Sequence, residues 1–412
     1  MIWSLSWRNL WRSRRRTLIT SASVALGIWM SLTFTGIGMY SYGSMIDNSA
    51  AMGMGHVTVE PAGYNDSPSL DKRLTDAVGL RDQIRGVDGV QAAYARITGQ
   101  AMFATARENR GGIFLAVDTQ TEPANHNIFV RSLKEGVIPT NDAEDDGVLI
   151  GRELAERLDL KLGRKLVYTV TDANGEIVSE VARVRGIYAT GVDEIDAFAV
   201  VLPIARLRKL LGYGPSEATV VAVFADTAWD ADALVDTVRG VVGAPEREVL
   251  GWRKTQSDIA SAIAVDWAIN RLFQLLLAIV VAAGILNTML MSVLERRREM
   301  GIMLAVGMAR SRLFAMVVVQ AMMVALVGVI LGAIVTTPWY LWMHYSGIDI
   351  SEYMEGMEVG GVVFEPWIRM TLYGDVIAII GSTVFGLTIL AGLYPAWKAG
   401  NVPPVESIRT LA

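Results

Sequence analysis

Four runs of this 412-residue chain carry no charged side chain: residues 17–46, 272–294, 313–343 and 376–397. A bilayer core about 30 Å thick needs roughly 20 helical residues, so each run predicts a transmembrane helix. Nothing between Asp47 and Asp266 approaches that length. There the pattern shortens and alternates. His56-Val57-Thr58-Val59-Glu60 predicts a strand, as do residues 113–117 and 220–224. Residues 166–170 and 177–187 predict a hairpin turning at Asn174-Gly175. Helices are expected over 71–84, with the turn Gly86-Val87-Asp88-Gly89 after it, and over 151–160, 202–211 and 229–242. Pro203 suits the first turn of the third. The expected fold is a membrane α-helical part with four spans plus an α+β domain outside the membrane. That domain is expected to have two lobes, the middle one, about 110–200, inserted into a lobe built from the flanks.

Residues 1–16 are expected to form an amphipathic helix lying in the membrane interface. Trp3, Trp7, Leu10 and Trp11 recur at three- to four-residue spacing, with Arg8, Arg12 and Arg15 elsewhere around the helix. Basic residues set orientation. They gather before the first run (Arg8, Arg12, Arg14, Arg15, Arg16), between the second and third (Arg296, Arg297, Arg298, Arg310, Arg312) and after the fourth (Lys398, Arg409). The loop between the third and fourth holds Asp349, Glu352, Glu355, Glu358 and Glu365 against Arg369 alone. Both termini and the middle loop are therefore expected in the cytoplasm, with 47–266 and 344–372 outside. The first apolar run is too long for a cleaved signal and is read as an anchor.

Composition narrows the chemistry. The chain is 52% apolar with mean hydropathy +0.36 and net charge −5, and its basic residues cluster only beside the apolar runs, which argues against nucleic acid. It has no Cys, so disulfides and thiol catalysis are excluded. His56, His126 and His344 have no second His at ligand spacing, and Glu144-Asp145-Asp146 reads as a solvated loop. No catalytic or metal-binding residue is assigned. No GxSxG, HExxH or GxxxxGK[ST] occurs, so no P-loop for ATP lies in these residues.

Two segments next to the apolar runs carry more. Residues 295–314 read ERRREMGIMLAVGMARSRLF. Met300 to Val306 is a short apolar stretch facing water, Gly301 and Gly307 permit close approach or sharp exits, and Ser311 could cap the next helix. On this pattern alone the stretch is either a docking helix or an ordinary loop with an interfacial helix. Arg298-Glu299-Met300-Gly301 followed by Leu304-Ala305-Val306-Gly307 resembles the signature of FtsX-like permeases of ABC transporters, the family of MacB-type and lipoprotein-releasing (Lol-type) permeases. YPAWKAGNVPPVESIR, residues 394–409, resembles that family's ending. So does the order of parts, and GVLIGRELAERLDLKLGRKL, residues 147–166, is similar to a stretch of Lol-type members.

The resemblance implies an inner-membrane mechanotransmitter, not an enzyme. The implied domains are 1–16, the interfacial helix; 17–46, the first span; 47–266, a MacB-like periplasmic core; and 267–412, an FtsX-like permease domain whose coupling segment is 295–312. Glu299, Met300, Gly301, Ile302, Met303, Leu304 and Gly307 would form the coupling segment, with Ile302, Met303 and Leu304 the best candidates to dock. Tyr394, Pro395 and Ala396 would form the inner end of the last span, where Pro395 is expected to end or kink the helix. The implied partners are an ABC ATPase dimer holding ATP and Mg, a second permease of the same or a homologous chain, membrane lipids, and a lipoprotein carrier or membrane-fusion protein outside. Pairing of subunits is expected through the first and second spans, with small residues at Gly27, Gly36 and Gly38 of the first. Lipoprotein release is the favoured activity, ahead of MacB-like efflux and FtsX-like control of cell-wall hydrolases. One departure stands out: residues 169–181, where some Lol-type members carry a Pro-containing arm, are short and lack Pro.

The orientation can be read directly in this Cys-free chain. In intact spheroplasts, Asp145→Cys is expected to react with an impermeant thiol reagent and Ala309→Cys is not. The opposite pattern would invert the topology.

Overall fold

The computed structural model describes residues 2–12, 14–354 and 367–401. The described residues fall into two compact units, one drawn from 2–40, 265–350 and 367–401 and the other from 41–264 and 351–354. Glu355, Glu358, Glu365, Arg409 and the last part of the 394–409 segment lie outside the described residues.

The first unit is helical. Its elements are α1 (Ile2–Arg12), α2 (Arg14–Ser49) up to Tyr40, α3 (Ser257–Glu295) from Val265, α4 (Arg297–Ala305), α5 (Arg310–Tyr345) and α6 (Gly374–Gly400); the remaining turns of α2 and α3 belong to the second unit. By length and composition α2, α3, α5 and α6 could each cross a membrane. All four extend beyond their charge-free runs, α3 most of all, because a helix keeps bonding its own backbone after its side chains turn polar. Val24, Ile28 and Leu32 of α2 share a buried cluster with Ile285 and Met289 of α3, Met316 and Val317 of α5, and Ala396 of α6. Small residues bring these backbones together. A Cβ on Gly328 of α5 would lie 2.6 Å from Val24, one on Gly332 3.2 Å from Ile28, and one on Gly392 of α6 2.5 Å from Ala321. Gly328 and Gly332 stand four apart, the spacing that lets membrane helices approach closely.

The second unit is α+β. Its strands are β1 (Val57–Pro61), β2 (Val90–Ala104), β3 (Asn109–Val117), β4 (Leu133–Gly136), β5 (Gly147–Gly151), β6 (Lys165–Thr171), β7 (Ile177–Tyr188), β8 (Ala199–Pro203), β9 (Val220–Ala225) and β10 (Arg247–Gly251). The order β10–β1–β9–β2–β3–β8–β5–β7–β4 is supplemented by β6, which pairs with both β2 and β7. The pairings β2–β3, β3–β8, β8–β5, β5–β7, β7–β6 and β6–β2 therefore close a ring. β2 belongs to two sheets: Val90–Arg96 run along β9, and Ile97–Ala104 run along β3. Phe103, Phe114, Val148, Ile150, Leu166, Tyr168, Val184 and Leu202 fill a core continuous with Val57, Val59, Val221 and Val223.

Local chemistry explains where the elements end. Leu74 exchanges backbone hydrogen bonds with Ala218, and the Asp76 carboxylate accepts the Gly79 N–H. The helix expected over 71–84 therefore starts only at Ala77. Residue 203 closes β8 and caps the helix Ile204–Leu211, where backbone N–H groups have no intrahelical acceptor, so the missing donor of Pro costs nothing. In the β6–β7 hairpin, Asp172 accepts the N–H groups of Asn174 and Glu176, and Gly175 takes φ +83°.

The unit also buries charge. Arg96 and Glu122 form a fully buried ion pair. Arg96 also donates to the Gly53 carbonyl at 2.7 Å and the His126 carbonyl at 2.8 Å. Removing one partner would strand the other charge at a cost of about 3–5 kcal/mol. Glu60 is buried on β1 directly opposite Glu248 of β10. One oxygen accepts the Asn65 N–H at 2.8 Å, and the other has no partner among the described residues. Burial foremost, with Glu248 and Asp66 adding to it against the Asn65 hydrogen bond and Lys254, pushes its pKa up to about 7.

The folded chain thus binds a proton at Glu60 that the unfolded chain, at the ordinary 4.5, has already released. This contribution to stability is complete below 4.5 and is lost as pH rises through about 7. Unfolding of the full chain between pH 5 and 8 is expected to show the fall. Glu60→Gln should flatten it and raise the midpoint at pH 8; equal pH dependence in both proteins would contradict the assignment.

Candidate functional site

The segment singled out by its glycines and apolar residues is α4, and a single residue, Arg296, separates it from α3. Its two sides differ. Met300 and Gly301 are buried, Met300 in the cluster it shares with Val293, Leu313 and Met316. Met303, Leu304 and Met308 pack partly against the same cluster. Ile302 and Val306, four apart on the opposite side, are 46% and 84% exposed. The Met308 N–H donates to the Met303 carbonyl at 3.0 Å and the Gly307 N–H to the Leu304 carbonyl at 3.1 Å. Gly307 sits at φ +101°. That is a Schellman ending, which needs a residue free to take positive φ. Ser311 does not cap the next helix; Ala309, extended at ψ 141°, holds that position.

Glu299 lies on the surface between two arginines. Its Oε1 accepts from Arg12 Nη1 of α1 at 3.0 Å and its Oε2 from Arg296 Nε at 2.9 Å. The Arg296 hydrogen bond first, and Arg12 after it, hold its carboxyl below the usual range. Arg16 pairs with Glu295 and donates to Ser292 Oγ at 3.3 Å. α1 is seated on α5 through Ser6, whose hydroxyl donates to the Met316 carbonyl at 3.2 Å, and through Leu10, buried against Met323 and Val324. The Thr17 hydroxyl donates to the Leu10 carbonyl at 2.6 Å and ties α1 to the start of α2. Sequence reasoning assigns these arginines as orientation charges, and Arg12 also to the polar side of the interfacial helix. The carboxylate partners of Arg12 and Arg16 lie far along the chain, where spacing carries no signal, whereas Arg296 and Glu299 stand three apart.

The remaining expected residues are spread through the helical unit. Tyr394 is half exposed and stacks on Trp397 with centroids 6.2 Å apart, while Pro395 and Ala396 are buried. α6 does not end at Pro395 but continues to Gly400. The space over Gly27 and Gly36 is filled from within the chain. A Cβ on Gly27 would lie 3.0 Å from Val281, and one on Gly36 2.5 Å from Met370. The Thr371 N–H donates to the Gly36 carbonyl at 3.0 Å. Gly38 is half-buried. Among the described residues, no group of three His, Asp or Glu could hold a metal ion.

Two family models match this chain: a MacB-like periplasmic core domain over residues 17–241 and an FtsX-like permease C-terminal domain over residues 271–404. A lipoprotein-releasing system transmembrane protein LolC of Xylella fastidiosa is 21% identical, covering 97% of this chain and 96% of its own. A macrolide export ATP-binding/permease protein MacB of Nitrobacter winogradskyi is 25% identical over 95% of this chain, which spans 58% of that relative. The periplasmic region of MacB from Actinobacillus actinomycetemcomitans aligns with 52% of this chain and 97% of its own at 12% identity, with a TM-score of 0.36.

The end of α4 offers a local test. Positive φ costs a residue with a Cβ about 1–2 kcal/mol. Gly307→Val is therefore expected to speed hydrogen exchange at the amides of residues 307 and 308 by roughly tenfold, and Gly307→Asn by less. Unchanged exchange in the valine variant would contradict the capping geometry.

Proposed function

This chain belongs to the family of FtsX-like permeases with a MacB-like periplasmic core domain, and from that premise we propose that it is the membrane subunit of an ABC transporter that releases lipoproteins from the outer leaflet of the inner membrane. α2, α3, α5 and α6 are its four spans, its termini and α4 are cytoplasmic, and the α+β unit is periplasmic. The closed ring is one lobe of that unit and the sheet β10–β1–β9 with the first half of β2 is the other. A separate ATPase subunit, holding ATP and Mg, docks on α4. Its power stroke moves α4, and the chain carries that movement to the periplasmic side, where lipoprotein is handed to a carrier.

One observation carries the docking step. Ile302 and Val306 form an exposed apolar pair on a short helix outside the apolar spans, while Met300 on the other side anchors that helix to its own chain. Exposed apolar pairs of this kind call for a partner. Glu299, braced by two arginines, sets the pose of the helix. The alignment with LolC, which runs nearly the whole length of both chains, favours lipoprotein release. The MacB relative, the more similar in identity, supports a second reading in which the cargo is a peptide or small amphiphile delivered to a membrane-fusion protein. Two permeases act together. With Gly27 and Gly36 engaged internally, pairing through the first two spans would use their exposed faces, including Ile19 and Leu26 of α2 and Leu276 and Val280 of α3.

Burying one aliphatic side chain contributes roughly 1.5–3 kcal/mol, and a charge in its place adds a desolvation cost. Val306→Asp is therefore expected to insert normally yet lose its co-purifying ATPase and all substrate-stimulated hydrolysis. Leu304→Asp is a poorer test, because it places a charge against the chain's own core. An Ile302→Asp, Val306→Asp double variant that retains its ATPase and full activity would overturn the docking reading.

A further inference from the structure

We propose that the basic, aromatic side of α1, with the first turn of α2, receives acidic phospholipid headgroups and that Arg12 relays their presence to α4 by exchanging Glu299 for a lipid phosphate. The chain has no Asp or Glu before Asp47, while Arg8, Arg12, Arg14, Arg15 and Arg16 fall within its first sixteen residues. Two of these five are engaged, Arg12 by Glu299 and Arg16 by Glu295. Arg8, Arg14 and Arg15 are exposed and have no ion-pair partner among the described residues. On α1 itself, Trp3 and Trp7 are 60% and 46% exposed.

The faces of α1 divide the work. Ser6 and Leu10 point into α5 and hold the helix in place. Trp3 and Trp7 follow round the helix at four-residue spacing, and Arg8 and Arg12 come next. Indoles beside guanidinium groups on one helix suit headgroup depth, where a phosphate can take a bidentate hydrogen bond from arginine. Charge complementarity selects acidic lipids over zwitterionic ones, whose net charge is zero.

Arg12 belongs to both systems. It stands four residues from Arg8 on α1, its side chain is 71% exposed, and it holds Glu299 at 3.0 Å. A surface ion pair of this kind is weak and open to competition. When a lipid phosphate takes Arg12, Glu299 keeps only Arg296, and α4 is freed from α1. The proposal rests on the permease reading only for what that freedom does to an ATPase; the lipid response itself needs no ATPase.

The test uses the full chain reconstituted in phosphatidylcholine vesicles with increasing phosphatidylglycerol. An environment-sensitive fluorophore on Ala305→Cys, at the exposed end of α4, reports its release. Its emission is expected to shift as phosphatidylglycerol rises, and the shift should shrink in high salt. Glu299→Gln and Arg12→Gln should each show the shifted emission already in phosphatidylcholine and respond no further. Arg8→Gln, Arg14→Gln and Arg15→Gln combined should leave the starting emission unchanged and lose the response. An α4 probe indifferent to phosphatidylglycerol would overturn the proposal, as would a full response in the triple variant. A shift that appears only when the ATPase is added would also overturn it, assigning the free arginines to a protein surface. An ATPase that fails to bind would sink the permease reading and leave the lipid result standing.

Discussion

Arg96 sits where β2 leaves β9 and takes up β3, and its buried guanidinium ties together segments that the chain order keeps apart. One donor holds the Gly53 carbonyl, beside the end of α2; others hold Glu122 and the His126 carbonyl, beyond β3. Around it Tyr94 and Phe224 lie within 6 Å, and the His126 ring stacks on Phe224. A buried guanidinium is tolerated only when its donors are met, so these segments must arrive together for any of them to be stable. The open sheet and the closed ring share β2 as a strand and Arg96 as a polar tie. Apolar burial alone, being non-directional, would leave the angle between them poorly defined.

How far the chain can be read from its sequence follows from which signals are local. The four apolar helices are legible because a charge-free run long enough to cross a bilayer is rare in a domain that folds in water. The β6–β7 hairpin is legible because Asp172, Asn174 and Gly175 make its turn by themselves. β2 is not. Residues 93–97 are buried on both faces, so the two-residue alternation that reveals a half-covered strand is missing. The expected helix over 71–84 overruns because Leu74 is claimed by Ala218, a pairing no local pattern contains.

The candidate site shows the same division. The α4 segment can be found from its pattern, but the expected docking set of Ile302, Met303 and Leu304 mixes its two sides, although helical spacing sets Met300, Met303 and Leu304 apart from Ile302 and Val306. Gly27 and Gly36 suggest a surface open to a partner; the structure fills both from the chain itself. Gly328 and Gly332, which seat α2 on α5, carry the same small-residue signal. Small residues announce that something will come close. They do not announce what.

The connections at the two ends of α4 limit how it can move. One residue joins it to α3, and four, Val306 to Ala309, join it to α5. At about 3.6 Å per residue, the longer connection reaches no more than roughly 18 Å from helix to helix, and the shorter one has almost no play. A helix leashed so tightly cannot travel by itself. Any push on it must pull α3 at once and α5 soon after, so force applied at α4 leaves as tilt or rotation of those two helices rather than being absorbed in slack chain.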